Sequence, residues 1–92
     1  MENKLAELVK KYGEKDDNTY RIWLDNLNGV CDFAGHTDIM CAHLGEDGKL
    51  TFQVNTPDDK STIFVWLEEF PDDVVKKVVE QILEICGTDI AE

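Results

Sequence analysis

The chain has 92 residues, of which 20 are acidic and 9 basic, so its formal net charge at pH 7 is −11. This length allows one modest hydrophobic core, and a single domain over residues 1–92 is predicted. The negative charge disfavours direct binding to nucleic acid and to anionic membranes, because each phosphate contact needs a cation on the protein. A basic protein is a more suitable partner, although solubility alone also explains such a charge.

The sequence predicts a cytoplasmic protein. It has no run of about 18 apolar residues, which excludes a membrane-spanning helix, and its charged amphipathic start differs from a signal peptide. Three cysteines, an odd number without a paired framework, are typical of reduced thiols. The protein is expected to be a monomer or a small oligomer, with a homodimer included among the alternatives.

Two helices are predicted, one near each end of the chain. The first runs from about Asn3 to Tyr12, and Gly13 ends it. The second begins at Pro71, whose missing N–H has no helical partner in a first turn, and stops at Gly87. Its apolar residues cover half of the helical wheel, an arc wide enough for a helix that lies flat on a sheet. These residues are Val74, Val75, Val78, Val79, Ile82, Leu83, Ile85 and Cys86.

Strand patterns begin after the first helix. Residues 13–18 predict a polar loop, and alternation over Thr19–Leu27 predicts a strand. Asn28-Gly29 is a turn signal, and Val30–Phe33 could then pair back on the first strand. A second turn is expected at residues 34–37.

A hairpin and a last strand complete the sheet. Asp38–Leu44 and Lys49–Asn55 predict its two arms, with Leu50, Phe52 and Val54 facing inward. A polar loop follows at residues 56–61, and Thr62–Leu67 is the most apolar strand of the chain. Both faces of this last strand are apolar, so each needs a cover.

The element order predicts an α+β fold. It is a small two-layer domain in which a four- to five-stranded antiparallel meander is flanked in sequence by an N-terminal and a C-terminal helix, both on one face of the sheet. The opposite face would then present some of Trp23, Phe64 and Trp66 to a partner. The alternative is a curved sheet that encloses these aromatic side chains in its own core.

Three pairs of carboxylates flank the last strand. They are poor general acids and bases, because neighbours in such polar sequence stay solvated. One interpretation is local: the second pair ends a strand and the third favours a helix N-terminus. In the other, they form an acidic edge beside Trp66 or Phe70 that docks onto a basic groove, similar to phage-encoded inhibitors that imitate nucleic acid. The pairs are Asp58-Asp59, Glu68-Glu69 and Asp72-Asp73.

The spacing Cys31-x4-His36-x4-Cys41, with Gly35 before the histidine, resembles the latter part of a retroviral-type zinc knuckle. The resemblance implies zinc ligation by these side chains. The first cysteine of that pattern would fall at position 28, which is Asn28, and the basic residues of a knuckle are absent. His43 could supply the fourth ligand of a tetrahedral site. The alternative is that the cysteines are small buried hydrophobes.

The same region also contains the residue types of a thiol enzyme. Cys31 or Cys41 could act as a nucleophile with His36 as its base, oriented by Asp32 or Asp38. No nucleophile elbow, phosphate-binding glycine loop or HExxH helix accompanies them. The protein is therefore predicted not to be an enzyme, and no cofactor is expected.

The N-terminal half resembles class I type III secretion chaperones, which are small, acidic α/β dimers that begin with an amphipathic helix. The resemblance rests on Leu5-Ala6-Glu7-Leu8-Val9 and Asn28-Gly29-Val30-Cys31. It implies a dimeric chaperone, although the middle helix through which those proteins dimerise is missing from the pattern.

The function predicted from the sequence is that of a non-catalytic interaction domain. Charge asymmetry and apolar residues on both faces of a strand indicate binding of another protein through an acidic edge, an aromatic sheet face or both. The alternatives are a nucleic-acid-mimicking inhibitor, a secretion-chaperone-like dimer, and a thiol or zinc protein. The candidate binding residues are Trp23, Asp58, Asp59, Phe64, Trp66, Glu68, Glu69, Asp72 and Asp73.

Overall fold

The computed structural model describes residues 2–87 and confirms the predicted α+β fold. Its five strands form one antiparallel sheet whose spatial order, β1-β2-β3-β4-β5, is the order of the chain. A single 3-10 turn, Leu67–Glu69, joins the last strand to the last helix. No helix within residues 2–87 is both long and apolar enough to cross a membrane. The elements are α1 Glu2–Tyr12, β1 Glu14–Asp16, β2 Thr19–Trp23, β3 Asp38–Leu44, β4 Leu50–Asn55, β5 Thr62–Trp66 and α2 Asp72–Cys86.

Helix α2 begins and ends at residues that suit its termini. Pro71 has extended backbone angles and is the N-cap, one residue before the predicted position inside the first turn. Asp72 and Asp73 occupy that turn, where the helix dipole favours negative charge. Gly87 ends the helix with a φ of 66°, a conformation that glycine adopts without strain. Most of the predicted apolar arc is buried, but Ile85 is exposed.

Both helices cover the same face of the sheet. Neighbouring strands place Ile22, Ala42, Phe52 and Val65 in one continuous row. All four are buried, and they belong to a hydrophobic cluster that includes residues of both helices. Helix α1 contacts β2, β3 and α2. The helix side chains that are fully buried in this core are Leu5, Val9, Val78 and Ile82.

Strand β1 corrects the prediction of a loop at residues 13–18. Its three residues are all charged and all exposed, so the sequence carries no hydrophobic alternation there. The strand forms because the turn at Asp17 and Asn18 folds it back on β2, where Glu14 pairs with Arg21. Backbone pairing, rather than side-chain burial, specifies this strand.

The segment between β2 and β3 is another correction. The predicted strand Thr19–Leu27 ends at Trp23, and Val30–Phe33 forms no strand. Leu24, Leu27 and Cys31 are nevertheless buried in the core. Their apolar pattern therefore reflects a loop that packs against the core and not a strand ladder.

A tight turn closes this segment, as predicted for residues 34–37. Phe33 and His36 exchange both backbone hydrogen bonds, at 3.0 and 2.9 Å. Between them Ala34 and Gly35 have φ values of 54° and 88°. Two successive positive φ values are typical of type I′ turns, which favour glycine.

The predicted hairpin of β3 and β4 is confirmed, and it contains a β-bulge. Ile39 pairs with Val54 and Cys41 pairs with Gln53, so Met40 is an extra residue in β3. In a regular strand Ile39 and Cys41, which are two residues apart, would point to the same side, because side chains alternate along a strand. The bulge lets Ile39 enter the core while Cys41 lies in a row on the opposite face.

Candidate interaction surface

The face of the sheet opposite the helices has no second layer among residues 2–87. We call it the open face. One row across it consists of Trp23, Cys41, Gln53 and Phe64, each paired with the next. The adjacent row consists of Glu14, Arg21, His43, Thr51 and Trp66.

All three aromatic residues predicted to be on this face are exposed there. The exposed fractions are 42% for Trp23, 57% for Phe64 and 36% for Trp66. The alternative of a curved sheet that encloses these rings is therefore wrong. Isolated exposed apolar residues are ordinary on protein surfaces, but here three exposed aromatic residues share one side of a five-stranded sheet.

Neighbouring side chains hold Trp23 at the β2 end of the open face. Its indole Nε1–H donates a hydrogen bond of 3.3 Å to the Glu14 carboxylate. The Arg21 guanidinium carbon lies 5.3 Å from the centre of the indole ring, within the range of a cation–π contact. Arg21 Nε is buried and has no hydrogen-bond partner among the described residues.

The β5 end of the open face is also aromatic. The rings of His43 and Phe64 have centroids 6.0 Å apart and planes inclined by 57°. Lys49 places its ammonium 5.6 Å from the centre of the Trp66 ring. Tryptophan is enriched at the centres of protein interfaces, where its large rigid ring loses little entropy on binding.

Between these two ends, Cys41 lies beneath its neighbours and is fully buried. Its thiol donates to the Gln53 side-chain oxygen over 3.5 Å. Burial raises the pKa of the Cys41 thiol, although the Arg21 charge acts in the opposite direction. A raised pKa keeps the sulfur protonated at neutral pH, the less reactive state.

The acidic residues are divided by β5 into two groups. Asp58 and Asp59 precede the strand. The acidic residues that follow it are Glu68, Glu69, Asp72 and Asp73. A five-residue strand spans about 13 Å between its first and last residues. The carboxylates therefore lie at the two ends of β5, instead of forming one continuous edge.

Several of these carboxylates have local hydrogen bonds. Asp58 accepts from the Thr56 hydroxyl at 2.7 Å and from the Lys60 amide at 3.1 Å, and these bonds lower its pKa. Asp59 accepts from the Asn55 side chain. Glu69 accepts from the Trp66 backbone amide at 3.1 Å. All four acidic residues next to β5 remain exposed.

The four candidate zinc ligands are not brought together. Cys31 belongs to the core on the helix side, whereas Cys41 and His43 lie in rows of the open face. Within residues 2–87, no three His, Cys, Asp or Glu side chains form a group that could hold a metal ion.

His36 has a structural role. Its Nδ1 lies 2.7 Å from the Phe33 carbonyl oxygen, which can only accept, so this nitrogen carries the proton and donates. In the neutral ring, Nε2 accepts from the Ser61 hydroxyl at 2.8 Å. Both ring nitrogens are occupied by these partners, neither of which is a cysteine. The contacts tie the turn at residues 33–36 to the residue before β5.

An open cleft of about 320 Å³ lies beside Trp23. Leu24 and Met40 provide apolar walls, and Asp25, Asp38 and Asp59 lie around it. Asp38 already accepts from the Gly29 amide at 2.9 Å. The cleft therefore extends the open face towards the loop that precedes β5.

Arg21, Met40 and Gln53 are parts of this surface that were not among the candidate binding residues. Alternation along β2 places Arg21 on the same side as Trp23, and this signal is visible in the sequence. Alternation along β4 likewise places Gln53 on the side opposite Phe52, whereas the position of Met40 depends on the bulge, which local sequence does not specify.

Comparison of the chain with protein-family models, with curated proteins and with solved structures gives no match.

Proposed function

We propose that this protein is a non-catalytic interaction domain that binds another protein through its open face. The observation that carries the proposal is the uncovered sheet face with Trp23, Phe64 and Trp66 exposed on it. In a two-layer fold the helices cover only one face of an antiparallel sheet, and the second face usually becomes polar. Here three exposed aromatic rings lie among the polar side chains of that face, which favours contact with a further layer.

The charge distribution supports a protein partner. The row from Trp23 to Phe64 contains no charged residue, although the chain carries a net charge of −11. Interface centres are depleted of charge and enriched in aromatic residues, and their rims are polar. The acidic groups at both ends of β5 correspond to such a rim, and they favour a partner that is basic around the contact.

The proposal is tested by protein capture from cells that express the chain. Wild type is compared with a triple variant, Trp23→Ser, Phe64→Ser and Trp66→Ser. The control is a double variant, Tyr12→Ser and Ile85→Ser, which removes apolar residues of similar exposure, 49% and 44%, from the two helices. Loss of one partner with the triple variant only, followed by direct binding of that purified partner, is the expected result.

Two outcomes contradict the proposal. One is capture of the same partners by wild type and by the triple variant, with both folded by circular dichroism. The other is a wild-type dimer in sedimentation equilibrium that the triple variant dissociates, which would assign the open face to a second copy of the chain.

A further inference from the structure

The two edges of the sheet differ in how they are protected. Strand β1 has three residues, all charged, a common device against pairing with other chains. Strand β5 has five residues, Thr62–Trp66, and none is charged. Within residues 2–87, β4 is the only strand paired with β5. Its outer edge is therefore the one that can accept another strand.

Hydrogen bonds at both ends of β5 show which backbone groups face outward. The Thr56 amide donates to the Ser61 carbonyl at 3.1 Å, so Ser61 is directed towards β4. Residues of an antiparallel strand alternate in this direction, and Thr62, Phe64 and Trp66 therefore point away from β4. The Trp66 amide confirms this direction, because it donates to the Glu69 carboxylate and not to β4.

Phe64 is the centre of this free edge. Both its N–H and its C=O point away from β4, and its side chain is the most exposed of the large apolar residues among the described part of the chain. An added strand gains affinity from such main-chain groups and specificity from the side chains beside them.

Charge at the two ends of β5 selects the occupant. Asp58 and Asp59 precede the strand, and Glu68, Glu69, Asp72 and Asp73 follow it, all exposed. If two copies paired through β5 in the antiparallel direction, the first group of one copy would meet the second group of the other. Parallel pairing would place identical groups side by side. Lys60 is the one base among residues 58–73, so both arrangements bring an excess of negative charge together, which opposes self-association.

We propose that the outer edge of β5 binds an extended segment of another protein as a sixth strand, and that this segment has about five uncharged residues flanked at both ends by lysine or arginine. The inference rests on the proposed role as a protein-interaction domain and names the kind of segment that this domain recognises.

Synthetic peptides test the edge directly. The probe has two lysines at each end of a five-residue threonine–valine alternation, and its match carries two glutamates at each end. Binding is measured by fluorescence polarisation at low salt. The lysine peptide is expected to bind at least about tenfold more tightly than the glutamate peptide, with a steep loss of affinity as salt rises.

Two N-methylated forms of the lysine peptide separate strand pairing from other contacts. One form carries methyl groups on every second amide, and the other form carries them on the remaining amides. Only one form therefore loses the donors that face β5. Strand addition predicts that one form binds at least about tenfold more weakly than the other, since several main-chain hydrogen bonds are lost. Equal affinities for the two forms overturn the inference.

A matched pair of variants applies the same test to the protein. Phe64→Ala removes the ring and keeps the N–H, whereas Phe64→Pro removes both. Proline is tolerated where the N–H of an edge strand faces solvent, so pairing with β4 is retained. The proline variant is expected to bind the lysine peptide about tenfold more weakly than the alanine variant. Equal binding by two folded variants overturns the inference, and the N-methylated peptides decide the question if the proline variant does not fold.

Further outcomes keep the two proposals distinct. No saturable binding of the lysine peptide below about 1 mM overturns the edge inference. The edge inference is also overturned if wild type is a dimer in solution and Phe64→Pro dissociates it. If partner capture depends on Trp23 while the peptide tests fail, the proposed function stands and the edge inference falls. If the triple variant captures the same partners as wild type, the proposed function is contradicted, regardless of the peptide affinities.

Discussion

The two faces of the sheet use hydrophobic residues in different ways. The helix-covered face is aliphatic with Phe52 at its centre, and its residues are buried by α1 and α2. The open face carries aromatic rings among polar side chains, with only Cys41 fully buried. Burial of apolar area drives folding on the first face. On the second, the aromatic rings remain partly in contact with solvent, and we propose that they serve in binding.

Removing one phenylalanine from each face gives the largest expected difference in the free energy of unfolding. Phe52→Ala should lower the free energy of unfolding by about 3–5 kcal/mol, because it leaves a cavity in the core. Phe64→Ala should lower it by less than about 1 kcal/mol, because that ring is already exposed. Urea denaturation of the two variants measures both values. Equal losses would mean that the open face is part of the core.

A substitution at Gly13 tests how α1 is attached to the covered face. A Cβ at this position would collide with the Val9 carbonyl oxygen and lie 2.9 Å from the Arg21 carbonyl oxygen. Gly13→Ala should therefore cost about 1–3 kcal/mol of stability. The control is Gly45→Ala, whose nearest atom, Asp47 Oδ1 at 3.0 Å, belongs to a side chain that can move. Thermal unfolding of both variants gives the comparison, and a larger loss at Gly45 would contradict it.

A substitution at His36 tests the contact between the turn at residues 33–36 and the loop before β5. His36→Leu should cost about 1–2 kcal/mol, because the Phe33 carbonyl loses one of its two hydrogen bonds and the Ser61 hydroxyl loses its acceptor. Ser61→Ala removes one of the two bonds and should cost about 0.5–1.5 kcal/mol. Chemical denaturation measures these losses. A smaller loss for His36→Leu than for Ser61→Ala would show that the ring does not support the loop.

The smallest expected effect concerns alkaline pH. Burial raises the pKa of Cys41 above the ordinary thiol value of 9.0. The folded state thus holds this proton more tightly than the unfolded chain. The stabilisation is complete below about pH 9 and declines as pH rises through the folded-state pKa. Unfolding free energies measured on either side of pH 9 should decline less steeply for Cys41→Val than for wild type. Identical slopes would contradict a buried thiol on the open face.

Much of the fold was predictable from local patterns. Both helices, the β3–β4 hairpin and the loop before β5 have clear periodicity or turn residues, as do the stops at Gly13 and Gly87. The site was predictable in part: alternation on β5 indicated that Phe64 and Trp66 share a face. Residues 24–33 have a strand-like pattern and yet form a loop, because apolar residues of a packed loop can imitate the alternation of a strand.

The sequence by itself determined which segments are helical, which are apolar on both sides, and where acidic charge is concentrated, because these properties depend on residues close together in the chain. Only the tertiary structure decided that charged residues 14–16 form a strand, that Met40 is a bulge, and that Trp23 and Phe64 belong to one row. These features depend on pairing between distant segments, and register across a sheet is chosen by the core as a whole rather than by any local stretch.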